Sequence, residues 1–265
     1  HYKEHHEYVY SFLGSDEPIV FEFDDSAYGD NFGSLQIEIW KENENHQIIS
    51  VPSDFNTIQE AINFSTNGDT IMVSPGTYIE STTLQIINKQ VSIISTSGPE
   101  QTILSGDNSH RVLYIENPIN SEIVFEGFTI SEGMPGSDNH ASAIKVESGK
   151  VNFNNLIIEN NGNGTGNTVA YGSGIDNTVF EDCIIRNNSV ENYAGLRSST
   201  NIRCVLYGNS GWNNTGVLLE GDSYNCTVYN NSGGAMFNPW TVGGMTGGSA
   251  TNCIFWNNAG NGGQQ

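Results

Sequence analysis

The sequence predicts an all-β solenoid of short strands, with one capping helix and an extra N-terminal β segment. Three observations carry that expectation. Six segments share one apolar pattern, asparagine recurs at a fixed offset inside that pattern, and the composition is rich in turn formers. The chain has 265 residues with 30 Gly, 34 Asn and only 15% charged side chains. Strongly β-favouring runs such as IVFEF, LQIEIW and VSII separate the turn formers, so the composition reads as many short strands and not as disorder.

The repeats are FEGFTISEG from Phe125, FNNLIIENNG from Phe153, FEDCIIRNNS from Phe180, IRCVLYGNSG from Ile202, YNCTVYNNSG from Tyr224 and TNCIFWNNAG from Thr251. Aligned, they place Phe128, Leu156, Cys183, Cys204, Cys226 and Cys253 in one column, with successive spacings of 28, 27, 21, 22 and 27 residues. A period near 25 that tolerates insertions marks a solenoid whose loops vary and whose strands do not. Two residues on stand Ile130, Ile158, Ile185, Leu206, Val228 and Phe255, so period-2 alternation puts both columns on the core face. Five residues after the first column come Asn161, Asn188, Asn209, Asn231 and Asn258, with Gly133 in the earliest repeat. Coils stacked about 4.8 Å apart bring such amides within reach of one another, which predicts an asparagine ladder.

A second strand series is read through Ala143-Ile144, Gly174-Ile175, Gly195-Leu196, Gly216-Val217 and Gly234-Ala235. Ahead of the repeats, VPSDFNTIQEAINFSTNGDTIMVSPGTY holds one helix, at about residues 56–65. Thr57 and Glu60 form a T-x-x-E capping box there, and Ile58, Ala61, Ile62 and Phe64 make an apolar face. A helix in that place covers the open end of the core.

Charge divides the chain at about residue 50. Residues 1–50 carry 11 acids and 2 bases, residues 51–150 carry 12 and 4, and residues 151–265 carry 7 and 3. Residues 1–50 contain three strand-like runs, YVYSF, IVFEF and LQIEIW, too few to fold alone. They are expected to dock on the solenoid of residues 51–265 or on a neighbouring subunit. The chain begins at His1 without a signal peptide and ends on GNGGQQ just after a repeat. This fits a processed secreted protein or a fragment, with a last coil open to head-to-tail addition.

From about residue 51 onward, DFNTIQEAIN, GDTIMVSPGTY and repeats of the NCTVYNNSG kind resemble the right-handed parallel β-helix proteins of the pectin-lyase-like class. The resemblance implies that fold. It leaves function open among lyases, hydrolases, esterases, tailspikes, adhesins and non-catalytic fibres. Within residues 1–50, DDSAYGDNFGS is loosely similar to a D-S-Y-G-D-G-W-N-G stretch of secreted bacterial proteins. The esterase branch resembles the GTY start, but its paired catalytic aspartate motifs are not found in this sequence.

The formal charge of −21 excludes a basic footprint for nucleic acid, and no apolar run is long enough for membrane insertion. The four cysteines share one core column whose Cβ vectors run parallel, so they read as free thiols and not as two disulfides. Asp24, Asp25 and Asp30 are weak Ca²⁺ candidates or a plain exposed turn, and His1, His5 and His6 with Glu4 and Glu7 are a metal-binding or a solvated tail. No other cofactor is implied. Lys145, Asp176 and Arg197 are aligned in one outward column of the second series. A base, an acid and a base at that spacing suit a carboxylated sugar in a lyase, or form a self-pairing charge ladder. On the outward face of the repeat strand, Ile184, Val205 and Ile254 lie beside Tyr207, Tyr229 and Trp256, a stripe that binds a glycan or a protein partner, or is covered by the chain itself.

The leading expectation is therefore a secreted, extracellular or cell-surface bacterial β-helix protein without catalytic function. It acts as a structural or adhesive element, as in a self-assembling fibre, with self-association or polysaccharide as its partner. The alternatives are a polysaccharide lyase or hydrolase of the same fold, and a glycan-binding module.

Overall fold

The computed structural model describes residues 46–117, 122–211, 217–233 and 243–260. The expectations placed on residues 1–45, including Asp24, Asp25, Asp30 and the histidine-rich start, lie outside the described residues. The chain divides into two units, His1–Asn43 and Glu44–Gln265, of which the second is described below.

Among the described residues the strands form sheets of 14, 8 and 4 strands, and all their pairings are parallel. One coil shows the pattern. Glu122–Glu126 leads through a sharp turn to Thr129–Ser131, the chain crosses to Ala141–Ser148, and the next coil restarts at Lys150–Asn154. Glu122–Glu126 pairs with Lys150–Asn154 and Thr129–Ser131 pairs with Ile157–Glu159, so each coil lies on its successor in register. The two strand series of the large sheet merge at Leu218–Tyr224. Its first residues pair with Tyr193–Arg197 and its last with Thr200–Ile202. The first strand among the described residues is Ile48–Val51, paired with Thr70–Val73, so the solenoid includes residues ahead of 51.

The capping helix is Ile58–Phe64, shorter than the expected span. Thr57 Oγ1 accepts from the Glu60 N–H while the Glu60 carboxylate accepts from the Thr57 N–H, which completes the capping box. Ile58, Ala61 and Ile62 are buried against the core. Phe64 departs from the expected apolar face. It is 56% exposed and meets Phe55 with ring centroids 5.0 Å apart, because the helix ends there and its last turn points past the coil. Both helix ends are fastened by the following coil. The Ile58 N–H donates to Glu80 at 2.9 Å, and Lys89 Nζ donates to the carbonyls of Ile62, Asn63 and Ser65 at 2.5, 2.8 and 2.6 Å. An acid at the N-terminus and a base at the C-terminus suit the helix dipole. Just after the helix, buried Asp69 accepts from the N–H of Gln47 and from the N–H and hydroxyl of Thr66, at 2.8, 2.8 and 3.0 Å.

One core column runs Ile71, Ile93, Phe125, Phe153, Phe180, Asn201 and Ser223. The Phe153 and Phe180 rings stack at 4.8 Å, and burying each such ring stabilises by about 2–3 kcal/mol. After Phe180 the column turns small and polar. Asn201 and Ser223 are buried and bonded to each other at 3.2 Å, and Ser199 donates to Asn201 at 2.9 Å. The change coincides with the coils of 21- and 22-residue spacing. The cysteines are free thiols, buried at Cys183, Cys204 and Cys226 and partly exposed at Cys253. Each sulfur donates to backbone carbonyls, as Cys204 does to Phe180 O at 3.3 Å. Contact with the Cys183 sulfur, together with burial, pushes the Cys204 thiol well up, which disfavours the reactive thiolate.

The buried amides of Asn161, Asn188, Asn209, Asn231 and Asn258 are bonded in series. Each Nδ2 donates to the next Oδ1, at 3.0, 2.9, 3.0 and 3.0 Å along the row. The same Nδ2 groups also reach back to the carbonyls of Ile130, Ile158, Ile185, Leu206 and Val228, the second core column. Asn209→Ala would leave the buried Asn188 N–H without its acceptor and would remove one bond each from the Asn188 amide, the Ile185 carbonyl and the Asn231 oxygen, which keeps the N–H of residue 209. At about 1–3 kcal/mol for the orphaned group and less for each lost bond, partly relieved by water, a loss of about 3 kcal/mol is expected by chemical denaturation. Asn257→Gly, at an exposed corner with φ +51°, is expected to change stability by less than about 0.5 kcal/mol. A pH dependence is expected at Asp69. Burial pushes its carboxyl up, but the Gln47 and Thr66 donors outweigh that and hold it below its ordinary value. Its contribution is therefore present above about pH 4 and is lost as pH falls through the lower folded value. Stability followed against pH should lose part of its acid limb in Asp69→Asn.

Candidate functional site

The register of the large sheet decides which side chains share its outward row. Ile144 pairs with Ala170, which pairs with Leu196 and then Leu218, so Lys145 is followed by Tyr171, Arg197 and Leu219. This corrects the expected column. Asp176 does not lie between Lys145 and Arg197, because the strand ends at Tyr171 and residues 172–177 make a turn before Thr178. Asp176 sits in that turn, exposed. The expected pair Gly174-Ile175 belongs to the turn too, and Val217 yields its place to Leu218. Bulges between Ala141 and Ile144 and between Thr168 and Ala170 displace the count, and such slips flip side chains between faces.

Preceding Lys145 in the row is Tyr114, and before it Gln85. The row therefore reads Gln85, Tyr114, Lys145, Tyr171, Arg197, one residue per coil. Lys145 Nζ lies 5.9 Å from the Tyr114 ring centroid, and the Arg197 guanidinium lies 5.3 Å from Tyr171 and 5.6 Å from Tyr193. The His140 ring meets Tyr171 edge-on at 5.8 Å. Cations over π faces hold both partners in place.

The segment of residues 132–140 forms one wall. Asp138 receives Arg111 at 2.5 Å on one carboxylate oxygen and Lys145 at 2.7 Å on the other, while the His140 N–H donates to it at 3.2 Å. Arg111 is only 6% exposed, with Nε on the Ala141 carbonyl at 2.7 Å, and a Cβ on Gly136 would stand 3.1 Å from its guanidinium. Lys145 also meets Glu147 at 2.6 Å, and Arg197 meets Glu220 at 3.1 Å. Burial pushes Asp138 up, but Lys145, the His140 N–H and Arg111 together hold it well below the usual carboxylate range. Burial pushes Lys145 down, but Asp138 and Glu147 raise it overall. Burial and the adjoining Glu116 carboxylate raise Tyr114, which keeps its phenol neutral. The ammonium and the carboxylate are thus both fixed in their charged forms, and Lys145 is a poor proton acceptor.

The second expected surface lies on the eight-stranded sheet. Ile184, Val205, Thr227 and Ile254 follow one another in register, as do Arg186, Tyr207, Tyr229 and Trp256. Tyr207 and Tyr229 stack with centroids 5.1 Å apart and planes 12° apart, so one face of each ring is covered by the other. Arg186 joins Glu159 at 2.6 Å and the Tyr207 hydroxyl at 3.2 Å. Only Ile254 and Trp256, on the last described coil, are widely exposed, at 61% and 72%. A flat sugar ring finds no room between these two rings.

Sequence reasoning did not single out Arg111, Tyr114, Asp138, His140, Tyr171 or Tyr193. Tyr114 was within reach, since Leu113 and Ile115 alternate around it. Asp138 carried no signal, because a crossing segment has no periodicity. Among the described residues no group of three or more His, Cys, Asp or Glu side chains is placed to hold a metal ion.

Comparison of the sequence with protein-family models and with curated proteins returns no match. Comparison of the structure does. YbhC of Escherichia coli superposes with a TM-score of 0.51 at 13% identity, over 90% of this chain and 78% of that one. A rice weevil pectin methyl esterase gives 0.45 at 12% identity, over 87% and 92% of the two chains. A pectin methylesterase mutant in complex with a hexasaccharide gives 0.40 at 16% identity, over 78% and 66%. At these identities the likeness concerns the backbone alone: the chain has the right-handed parallel β-helix fold of the pectin-lyase-like class.

Proposed function

We propose that this chain is a polysaccharide-directed β-helix protein that holds an extended glycan across the row Tyr114, Lys145, Tyr171 and Arg197, against the wall formed by residues 132–140. The observation that carries this reading is the row itself. Rings and charged groups alternate at one residue per coil on a rigid sheet, with His140, Tyr193 and the Arg111–Asp138 pair beside them. Ring faces shared with Lys145 and Arg197 stiffen the row, and the fixed charges and phenol hydroxyls supply donors and acceptors for sugar hydroxyl groups. Secretion to the cell exterior accompanies this reading, since that is where such polymers are met.

The same geometry weighs binding above cleavage. A lyase needs a base to remove the proton next to a carboxylate, and Lys145 is held as an ammonium by Asp138 and Glu147. Asp138, with both oxygens occupied and its carboxyl held ionised, is no proton donor for hydrolysis at neutral pH. Turnover of a polysaccharide that disappears in Lys145→Ala and Arg197→Ala would replace this account with the enzymatic one.

A second reading, a structural or adhesive element that self-associates, is favoured by one observation, the exposed Ile254 and Trp256 on the last described coil. Sedimentation of a concentrated solution tests it, and a monodisperse monomer would count against it.

The two faces are separated by paired substitutions. In affinity electrophoresis against a panel of neutral and acidic polysaccharides, Tyr171→Ala is expected to weaken retardation about tenfold, equivalent to about 1.4 kcal/mol. Trp256→Ala is expected to leave it unchanged. The reverse outcome would move the glycan to the eight-stranded sheet.

A further inference from the structure

We infer that the glycan held by this row is uncharged, and that the site discriminates against uronate polymers because its cations are already neutralised from within. The inference rests on the proposed polysaccharide-binding role of the row and names the substrate class. It departs from the carboxylated sugar that a base–acid–base column would have suited.

Residues 46–260 contain seven Lys and Arg. The three at the site each face a carboxylate: Arg111 and Lys145 share Asp138, Lys145 also meets Glu147, and Arg197 meets Glu220. With Glu116 on the Tyr114 hydroxyl at 3.0 Å, the site carries three cations against four carboxylates. Of the remaining four, Arg186 and Arg203 are paired with Glu159 and with Glu181 and Asp182, and Lys89 caps the helix. Lys150 lies on the other strand series, beside Glu122 in register.

A uronate polymer brings one carboxylate for every sugar. The N–H of Lys145 left over from Asp138 and Glu147 would seat the incoming carboxylate directly beside both of theirs. Two like charges at contact distance repel about as strongly as opposite charges attract, which cancels what the new pair gains. The chain's net charge of −21 adds a longer-range repulsion at low salt. A neutral sugar meets no such conflict. Its hydroxyls donate to carboxylate oxygens that still have free lone pairs and accept from cation N–H groups that still have free hydrogens, leaving every ion pair in place.

The test uses the whole protein in affinity electrophoresis with soluble neutral polymers (xylan, glucomannan, galactan) and uronate polymers (polygalacturonate, alginate). Each is run at low and high NaCl, with added Ca²⁺ and with a chelator. The expected result is retardation by a neutral polymer that barely changes with salt or chelator, and none by the uronates. Removing the internal counter-charges in Glu147→Gln/Glu220→Gln should produce retardation on polygalacturonate at low salt, at least tenfold above wild type, with an unchanged circular dichroism spectrum. Wild-type retardation by a uronate polymer, whether weakened by salt or dependent on Ca²⁺, would overturn the inference and leave the binding role standing. A double variant that binds a neutral polymer yet gains nothing on polygalacturonate would overturn the neutralisation as its cause. No retardation by any polymer would overturn the binding role itself.

Discussion

Everything in this solenoid depends on one constraint, that each coil lies on the next at one strand spacing and in strict register. Backbone pairing alone fixes the spacing but tolerates slippage, since a parallel ladder is regular along its length. The buried amides remove that freedom. Each Asn side chain binds the next amide and also the carbonyl of the second core column one coil back, so a coil displaced by one residue leaves both unmet inside an apolar core. Their cost when unpaired makes them a register device more than a source of net stability.

Once register is fixed, the outer surface is determined coil by coil. Two further asparagine rows, at Asn155, Asn225 and Asn252 and at Asn160, Asn187, Asn230 and Asn257, occupy left-handed corners on either side of the short strand. Asn tolerates that conformation better than other non-glycine residues. Thus the asparagine excess has two separate causes, an inward ladder and outward corners. In the first of these rows Asp182 and Arg203 replace Asn, and the Arg203 guanidinium forks onto Glu181 and Asp182.

The repeat columns, the capping box and the parallel coils were legible because they repeat, and periodic positions average out local ambiguity. The outward row of the large sheet was not. Its strands are interrupted by bulges and followed by turns of unequal length, so Asp176 was counted into a place held by Tyr171. The GSGI and AGLR segments look alike in sequence, but one is a turn and the other a strand. Glu147 and Glu220, and still more Asp138 on its crossing segment, could not be assigned to Lys145 and Arg197 without coordinates, and they turn a cationic column into a balanced one. Similarly, the stacking of Tyr207 on Tyr229 covers one face of each ring, which spacing alone leaves open.

The proposed glycan-binding role lies on the row that register creates, and not on the aromatic stripe of the eight-stranded sheet. Hydrogen–deuterium exchange in the presence and absence of a bound neutral polysaccharide tests this most directly. Added protection is expected in the segments Leu113–Glu116, Ala141–Ser148, Thr168–Tyr171 and Tyr193–Arg197 and across residues 132–140. Protection confined to Val205–Tyr207, Thr227–Tyr229 and Ile254–Trp256 would contradict it.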